Sequence, residues 1–491
     1  MTEDILSLAA GELTAAFRSG CLSPVEVTAA ALTRIEDTEP DLNAFVLVAR
    51  DEALAQAEAS EARWRRGEPA GLLDGVPVSI KDLTAVAGWR TRKGSLTTEA
   101  DGLDAEDASA VARLRSHGAV FIGKTTVPEF GWKPLCDSPL TGITRNPWRL
   151  DRTPSGSTGG GAVSVATGTS VIALGSDGGG SIRHPASFNG LVGLKPSFGR
   201  IPFHPRIGSN DLTHLGVITR SVSDAALALT VVAGRDARDG LSFPEPPRDF
   251  GYGLREGVRG LRIAYSRTLG YAEPAPEVGR IVDDAVHGFE ALGAVVEPND
   301  PFNRSPLPVY LALCRMNNKA GFQHLKEADL SLMDPGLVAF VRSADALTLD
   351  EFYGALTARV ELTTALAGFF ESFDLLVTPT MPTTAAYAEP RDDDLPNNNN
   401  FWSWIPYTFP FSLTKSPAVT VNCGFAQDGL PVGLQIVGPF GADALVLRAA
   451  QAFEQLGSAT WSVRHLVERL PSTKGSSPRR ALSSELSFSE Q

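Results

Sequence analysis

Cysteine is scarce in this chain: four residues among 491, Cys21, Cys136, Cys314 and Cys423, with no CxxC pair. That spacing argues against both a disulfide framework and a thiolate zinc site. Histidine is scarce too. None of His117, His184, His204, His214, His287, His324 and His465 stands in a recognisable triad context. Basic residues are outnumbered, 44 Lys and Arg against 57 Asp and Glu, for a formal charge of -13, which repels a phosphate backbone and excludes direct nucleic-acid binding as an expectation. No apolar run approaches the ~20 residues of a membrane span. The acidic start Met1-Thr2-Glu3-Asp4 lacks the basic and apolar regions of a signal peptide, so a soluble, cytoplasmic protein is expected, with no membrane partner. No repeat of solenoid period is present.

What is present is an ordinary globular composition, 43% hydrophobic and 21% charged, able to bury a large core. Ser23-Pro24-Val25-Glu26 reads as a capping box opening a helix from Pro24 to about Ile35. Asp51 to Arg65 continues as helix, and Val76 to Ile80 reads as a strand that delivers Lys81 at its end. A helix over Asp107–His117 is followed by a short buried strand at Ala119–Ile122, the alternation of an α/β fold. Glycine and serine clusters bracket an apolar helix and strand within Ala162–Leu174. The proline-rich run Phe243–Arg248 marks a surface excursion or a boundary, and the chain from Gly260 to Phe373 reads as mostly helical. Ala418–Val421 and Pro431–Val437 read as strands around a Gly429 turn, before a helix over Asp443–Leu456. The serine-rich tail 471–491 lacks periodicity and is expected to be mobile.

Two loops carry the chemistry. Thr153-Pro-Ser-Gly-Ser-Thr-Gly-Gly-Gly161 and Gly175-Ser-Asp-Gly-Gly-Gly-Ser-Ile-Arg183 each expose a glycine-flanked serine, Ser157 and Ser181, separated by one helix and one strand. A serine hydroxyl is a weak nucleophile until a base takes its proton, and its tetrahedral intermediate needs aimed hydrogen-bond donors. The Gly178-Gly179-Gly180 backbone can offer such donors. With no histidine partner and no Gly-x-Ser-x-Gly elbow around either serine, lysine is the remaining candidate for the base, since a desolvated amine can lose its proton near neutrality. Lys81 after an apolar strand fits. Taken singly, each loop also reads as a flexible connection, and Lys81 as a surface residue at a strand end.

Together these motifs, with Asp74–Asp82, Gly123–Phe130, Asn146–Gly161, Gly175–Gly199 and Gly429–Asp443, resemble the amidase signature family over most of residues 1–470. The resemblance implies a single large α/β/α domain with a central mixed β-sheet covered by helices. It also implies Ser181 as acylated nucleophile, Ser157 on a cis peptide bond as proton relay, and Lys81 as ultimate base. Gly178, Gly179, Gly180 and Ser181 would form the oxyanion hole, with Gly156, Asp177 and Arg183 as supports, and no metal or cofactor. Ser155 and Thr158 depart from the family's glycine and serine, Gly178 from a side-chain-bearing residue, and Lys415 and Asn422 from glycine and proline.

The aromatic stretch Phe401–Phe411 is either core packing or, through Trp402, Trp404, Ile405 and Tyr407, the lining of a substrate pocket. Gly118-Ala-Val-Phe-Ile-Gly-Lys-Thr125 matches the letter of a P-loop, yet its middle residues are themselves the apolar strand, which gives Lys124 a structural role. Cys136 and Cys423 lack a histidine or glycine-rich turn nearby and read as structural. The expected activity is hydrolysis of a small-molecule amide, through an acyl-enzyme; a homodimer is compatible with it. Two alternatives stand beside it. One is the glutaminase (A-type) subunit of an aminoacyl-tRNA amidotransferase, against which Ile405 occupies the place of an aspartate that would hold glutamine's amine. The other is a catalytically silent binding protein of the same fold, against which Lys81, Ser157 and Ser181 are all retained.

Overall fold

The computed structural model describes residues 5–98, 102–206, 211–246, 248–389, 398–457 and 463–470. The tail 471–491 lies outside them. In chain order the strands are β1 (Phe45–Val48), β2 (Pro77–Lys81) and β3 (Val120–Thr125), then a minor pair, β4 (Asp137–Ser138) and β5 (Gly142–Ile143). There follow β6 (Ile172–Asp177), β7 (Val192–Lys195), β8 (His214–Thr219), β9 (Arg262–Tyr265) and β10 (Val295–Pro298). The last are β11 (Leu375–Pro379), β12 (Ala418–Phe425) and β13 (Pro431–Val437). All but the minor pair join one mixed sheet in the order β1-β3-β2-β6-β8-β7-β12-β13-β11-β9-β10. β2 runs parallel to β3 and β6, whereas β6–β8 and β12–β13 are antiparallel.

Strand periodicity explains why helices cover both faces. Alternate residues point to opposite sides. Val78, Ile80, Ile172, Leu174 and Val217 face a core shared with the helices Ala10–Ser19, Ser109–Ser116, Val222–Val232 and Asp443–Glu454. The intervening Ala173 and Ile218 face Ala162, Val165 and Ala186 of the helices Gly159–Ala166 and Arg183–Phe188. Ser79 bonds Ser164 on that second side at 2.9 Å. Lys81 shares Ser79's parity, so the strand delivers it to the face that carries the two serine loops.

The local readings meet the structure with instructive differences. Ser23 caps its helix, accepting from the Val25 N–H, while Glu26 accepts from the Ser23 N–H. The helix runs on to Leu42, because the buried stripe Val27, Ala31, Ile35, Thr38 and Leu42 keeps helical spacing past Ile35. The stretch read as mostly helical, Gly260 to Phe373, also contributes β9 and β10 at the sheet edge. Four residues each are too few to show a two-residue period between long helices. The proline-rich run is a tethered excursion: Phe243 donates to the Gly199 carbonyl, and Arg200 pairs with Glu245 at 2.8 Å while covering the Phe243 ring.

Candidate active site

Lys81 ends β2 with its side chain wholly buried. Its Nζ lies 2.7 Å from Ser157 Oγ, 2.9 Å from Thr158 Oγ1 and 3.1 Å from the Ser176 carbonyl. Burial lowers its pKa from 10.5 to about 7, against the pull of the Asp177 charge in the opposite direction. The neutral amine therefore forms near physiological pH. A neutral amine has two protons and one lone pair. The Ser176 carbonyl can only accept, so it takes one proton. Thr158 Oγ1 itself lies 3.3 Å from that carbonyl and can donate to it, which leaves Oγ1 as acceptor for the second. The lone pair is left facing the Ser157 hydroxyl.

Ser157 follows a cis peptide bond from Gly156. A side chain at position 156 has no room, since a Cβ would lie 2.2 Å from the Leu135 carbonyl oxygen. Burial separates the two serines sharply. From Thr153 to Pro202 every residue is buried except Gly178 and Ser181. The Thr158 N–H donates to the Ser181 carbonyl at 3.1 Å, tying the two loops together. Ser181 thus stands at the surface of a set whose deeper members are Ser157 and Lys81.

Asp177, at the end of β6, organises the loop between. Both its oxygens receive the Arg183 guanidinium, each at 2.9 Å, and neither side chain is exposed. Burial would raise the Asp177 carboxyl, but the Arg183 charge and bonds outweigh it and hold it well below the usual carboxylate range. Asp177 Oδ1 also accepts the Gly180 N–H at 2.6 Å. Of the four amides expected at an oxyanion site, Gly180's is thus engaged by protein. Those of Gly178, Gly179 and Ser181 have no acceptor among the described residues.

Several participants escaped the sequence reading. Thr158 supplies the second hydroxyl on Lys81, so replacing the family's serine keeps the chemistry. Thr408, Ser412 and Gln435 complete the Arg183 shell: the Thr408 carbonyl accepts at 2.9 Å, Gln435 Oε1 at 2.8 Å and Ser412 Oγ at 3.2 Å. They lie more than 200 residues from Arg183, and no local pattern marks them. The Tyr310 hydroxyl sits against Gly179, 2.2 Å from where a Cβ would be.

Two departures from the family pattern have a backbone explanation. Ser155 and Lys415 have φ of +64° and +63°, a conformation glycine adopts without penalty. Ser155 is held there by its hydroxyl on the Pro134 carbonyl, 3.0 Å. Lys415 pairs with Asp211 at 3.1 Å and lies over the Phe198 ring. Lys124 of the P-loop-like run lies in β3 and bonds Thr91. Cys136 and Cys423 are buried, and burial raises both thiols.

The expected pocket residues divide. Tyr407 is fully buried in a cluster with Leu376, Phe411 and Val437, its hydroxyl donating to the Arg267 carbonyl at 2.8 Å. Trp404 and Ile405 are also core, 1% and 3% exposed. These three pack in the core beneath the loop. Trp402 is half-buried and joins Phe401, Phe340 and Tyr310 at ring separations of 4.7, 5.3 and 6.2 Å. Trp132 meets Phe401 edge-on at 5.1 Å. Gly131, beside Trp132, approaches the Ser157 hydroxyl closely, a Cβ there lying 3.1 Å from it. Through Tyr310 this aromatic group meets the Ser181 loop at Gly179, while the backbone next to Trp132 meets Ser157.

Among the described residues no cluster of three His, Cys, Asp or Glu could hold a metal ion, and no helix is long and apolar enough to cross a membrane. A family model described as Amidase matches residues 26–447. An acylamidase of Rhodococcus erythropolis is 36% identical over 462 residues, covering 92% of this chain and 96% of that protein. The A-type subunit of a glutamyl-tRNA(Gln) amidotransferase from Moorella thermoacetica is 35% identical over 478 residues, covering 92% and 97%. Among solved structures, a bacterial aryl acylamidase of the amidase signature family superposes with a TM-score of 0.88 at 30% identity, covering 95% of this chain and 99% of that one. The native peptide amidase from Stenotrophomonas maltophilia gives 0.79 at 30% identity, covering 92% and 98%.

Proposed function

The chain belongs to the amidase signature family, and from that premise we propose that it is a stand-alone amidohydrolase working through Lys81, Ser157 and Ser181. The observation that carries this reading is the Lys81 amine, buried, its pKa brought down to about 7 by that burial, and its Nζ 2.7 Å from Ser157 Oγ. Ser181 Oγ attacks the carboxamide carbon as Ser157 takes its proton and passes its own to Lys81 Nζ. The developing oxyanion is met by the amides of Gly178, Gly179 and Ser181. Collapse of the tetrahedral intermediate breaks the C–N bond, and the relay runs backwards to protonate the leaving amine. Water then enters by the same route and releases the acid.

For the substrate, the half-buried group around Trp402 and Trp132 favours an amide with an aryl or bulky apolar substituent, since flat rings stack well on such surfaces. Glutamine is disfavoured. The place of the aspartate that would receive its ammonium is held by Ile405, buried among Trp404, Leu313 and Tyr310, and an apolar environment penalises an unpaired charge heavily. Sequence identity does not separate the two readings, 36% to an acylamidase against 35% to a glutaminase subunit. A hydrolysis screen of aryl, aliphatic and amino-acid amides, with Ser181→Ala as control, tests the proposal. Aryl amides are cleaved and the variant is silent; glutamine turnover that requires an added partner chain would overturn it.

A further inference from the structure

Thr408 lies within the aromatic segment and is wholly buried. Its Oγ1 lies 2.6 Å from the Gly179 carbonyl, 2.5 Å from His184 Nε2 and 3.3 Å from the Ile405 carbonyl. A hydroxyl has one proton to donate and two lone pairs to accept with. Carbonyls only accept, so the proton goes to Gly179, the nearer of the two, and His184 Nε2–H must donate to Oγ1. That assigns the His184 tautomer. The ring is neutral, since burial pushes its pKa down to about 3, and its Nδ1 is buried without a hydrogen-bond partner among the described residues.

The consequence concerns a single peptide unit. The Gly179 carbonyl and the Gly180 N–H belong to the same amide plane. Thr408 holds the first, and Asp177 holds the second at 2.6 Å. The clamp is closed through Arg183, which bonds both the Asp177 carboxylate and the Thr408 carbonyl. The His184 ring packs against the Gly180 α-carbon, leaving no room for a side chain there, since a Cβ would lie 1.9 Å from Nε2. A peptide plane held at both ends fixes its neighbours, and those neighbours carry the N–H groups of Gly179 and Ser181.

We infer that Thr408 is a positioning residue: by clamping the Gly179–Gly180 peptide it aims the Gly179 and Ser181 amides at the oxyanion. The inference rests on the amidase reading. Thr408 touches neither substrate nor nucleophile, and it acts through the loop. Loss of a whole oxyanion donor typically costs about 10²- to 10³-fold in rate, so loss of its aim is expected to cost about 10- to 100-fold.

The test compares Thr408→Val, which keeps shape and removes the hydroxyl, with Thr408→Ser, which keeps the hydroxyl. Two rates are read: labelling of Ser181 by a fluorophosphonate, and steady-state hydrolysis of an aryl amide. Thr408→Val lowers the labelling rate and kcat about 10- to 100-fold, with KM within about twofold and the acidic limb of the pH profile unmoved, and Thr408→Ser stays within about threefold of the parent. Thr408→Ala provides the same comparison if the valine variant does not fold. Wild-type labelling and kcat in the valine or alanine variant, a loss carried by KM, a shifted pH midpoint, or a serine variant as impaired as valine would each overturn the inference while leaving the amidase reading in place. Absence of labelling in the folded parent protein would overturn both.

Discussion

Replacing Lys81 with methionine keeps the length of the side chain and removes the amine. A fall in pKa from 10.5 to about 7 amounts to about 5 kcal/mol of discrimination against the ammonium, at roughly 1.4 kcal/mol per unit. The catalytic consequence follows from which form is the base. Only the neutral amine accepts the relayed proton, so log(kcat/KM) for an aryl amide rises with unit slope up to about pH 7 and then levels. In Lys81→Met that limb disappears and kcat falls about 10²- to 10⁴-fold, the usual contribution of a general base. The stability consequence has the opposite sense to an ordinary ion pair. Between about pH 7 and 10.5 the unfolded chain binds a proton at Lys81 that the folded chain does not, so folding stability rises with pH across that window. Below about pH 7 both states are protonated and the full penalty applies. Urea unfolding should therefore find Lys81→Met gaining on the parent at pH 6 by up to about 5 kcal/mol, less the contribution of the lost bonds to Ser157, Thr158 and Ser176. The gain shrinks towards pH 10. An activity midpoint above about pH 9, or a stability difference that does not change between pH 6 and 10, would refute the argument.

The oxyanion loop predicts an asymmetry between neighbouring glycines. At Gly178 a Cβ meets only Thr213 Oγ1, at 3.5 Å, whereas at Gly179 it would lie 2.2 Å from the Tyr310 hydroxyl. Gly178→Ala should thus keep activity and gain about 0.4–1 kcal/mol by restricting the unfolded chain, while Gly179→Ala displaces Tyr310 or the loop and loses most of kcat; equal behaviour of the two would contradict the packing. Trp402 and Trp404 should separate in the same way. Trp404→Ala empties a core site and lowers unfolding free energy by about 3–5 kcal/mol, with little change in selectivity of the folded enzyme. Trp402→Ala should be milder in stability and should shift preference from aryl towards small aliphatic amides; an unchanged substrate profile would remove Trp402 from the pocket.

Much of this site is legible because it is built from local signals. The strand ending at Lys81 announces itself by apolar residues between turn signals, and the serine loops by glycine content. The family likeness then orders the proton transfers. What stayed hidden is non-local. Thr408, Gln435 and Ser412 act on a loop more than 200 residues away, and a threonine or glutamine in an apolar segment looks the same whether it caps a turn or anchors an arginine. The aromatic segment is ambiguous in sequence for a related reason. Composition shows that Phe401–Phe411 is rich in rings but not which face each ring takes, and the turn that sends Trp404 and Tyr407 inward is the one that presents Thr408 to Gly179.

That coincidence joins core and catalysis. Trp404, Ile405 and Tyr407 are buried in the core, their packing fixes where the Thr408 hydroxyl stands, and Thr408 in turn holds the peptide between Gly179 and Gly180. Three of the side chains expected in the pocket thus pack in the core around Thr408. The departures from the family pattern at Ser155 and Lys415 have the same character. Each occupies a left-handed backbone position at a penalty of about 1 kcal/mol, offset by bonds to Pro134 and Asp211 respectively. The backbone geometry is thus kept while the side chains vary, and the proposed relay depends on that geometry: Lys81 can present a lone pair to Ser157 only while Thr158 and the Ser176 carbonyl stay where the two loops place them.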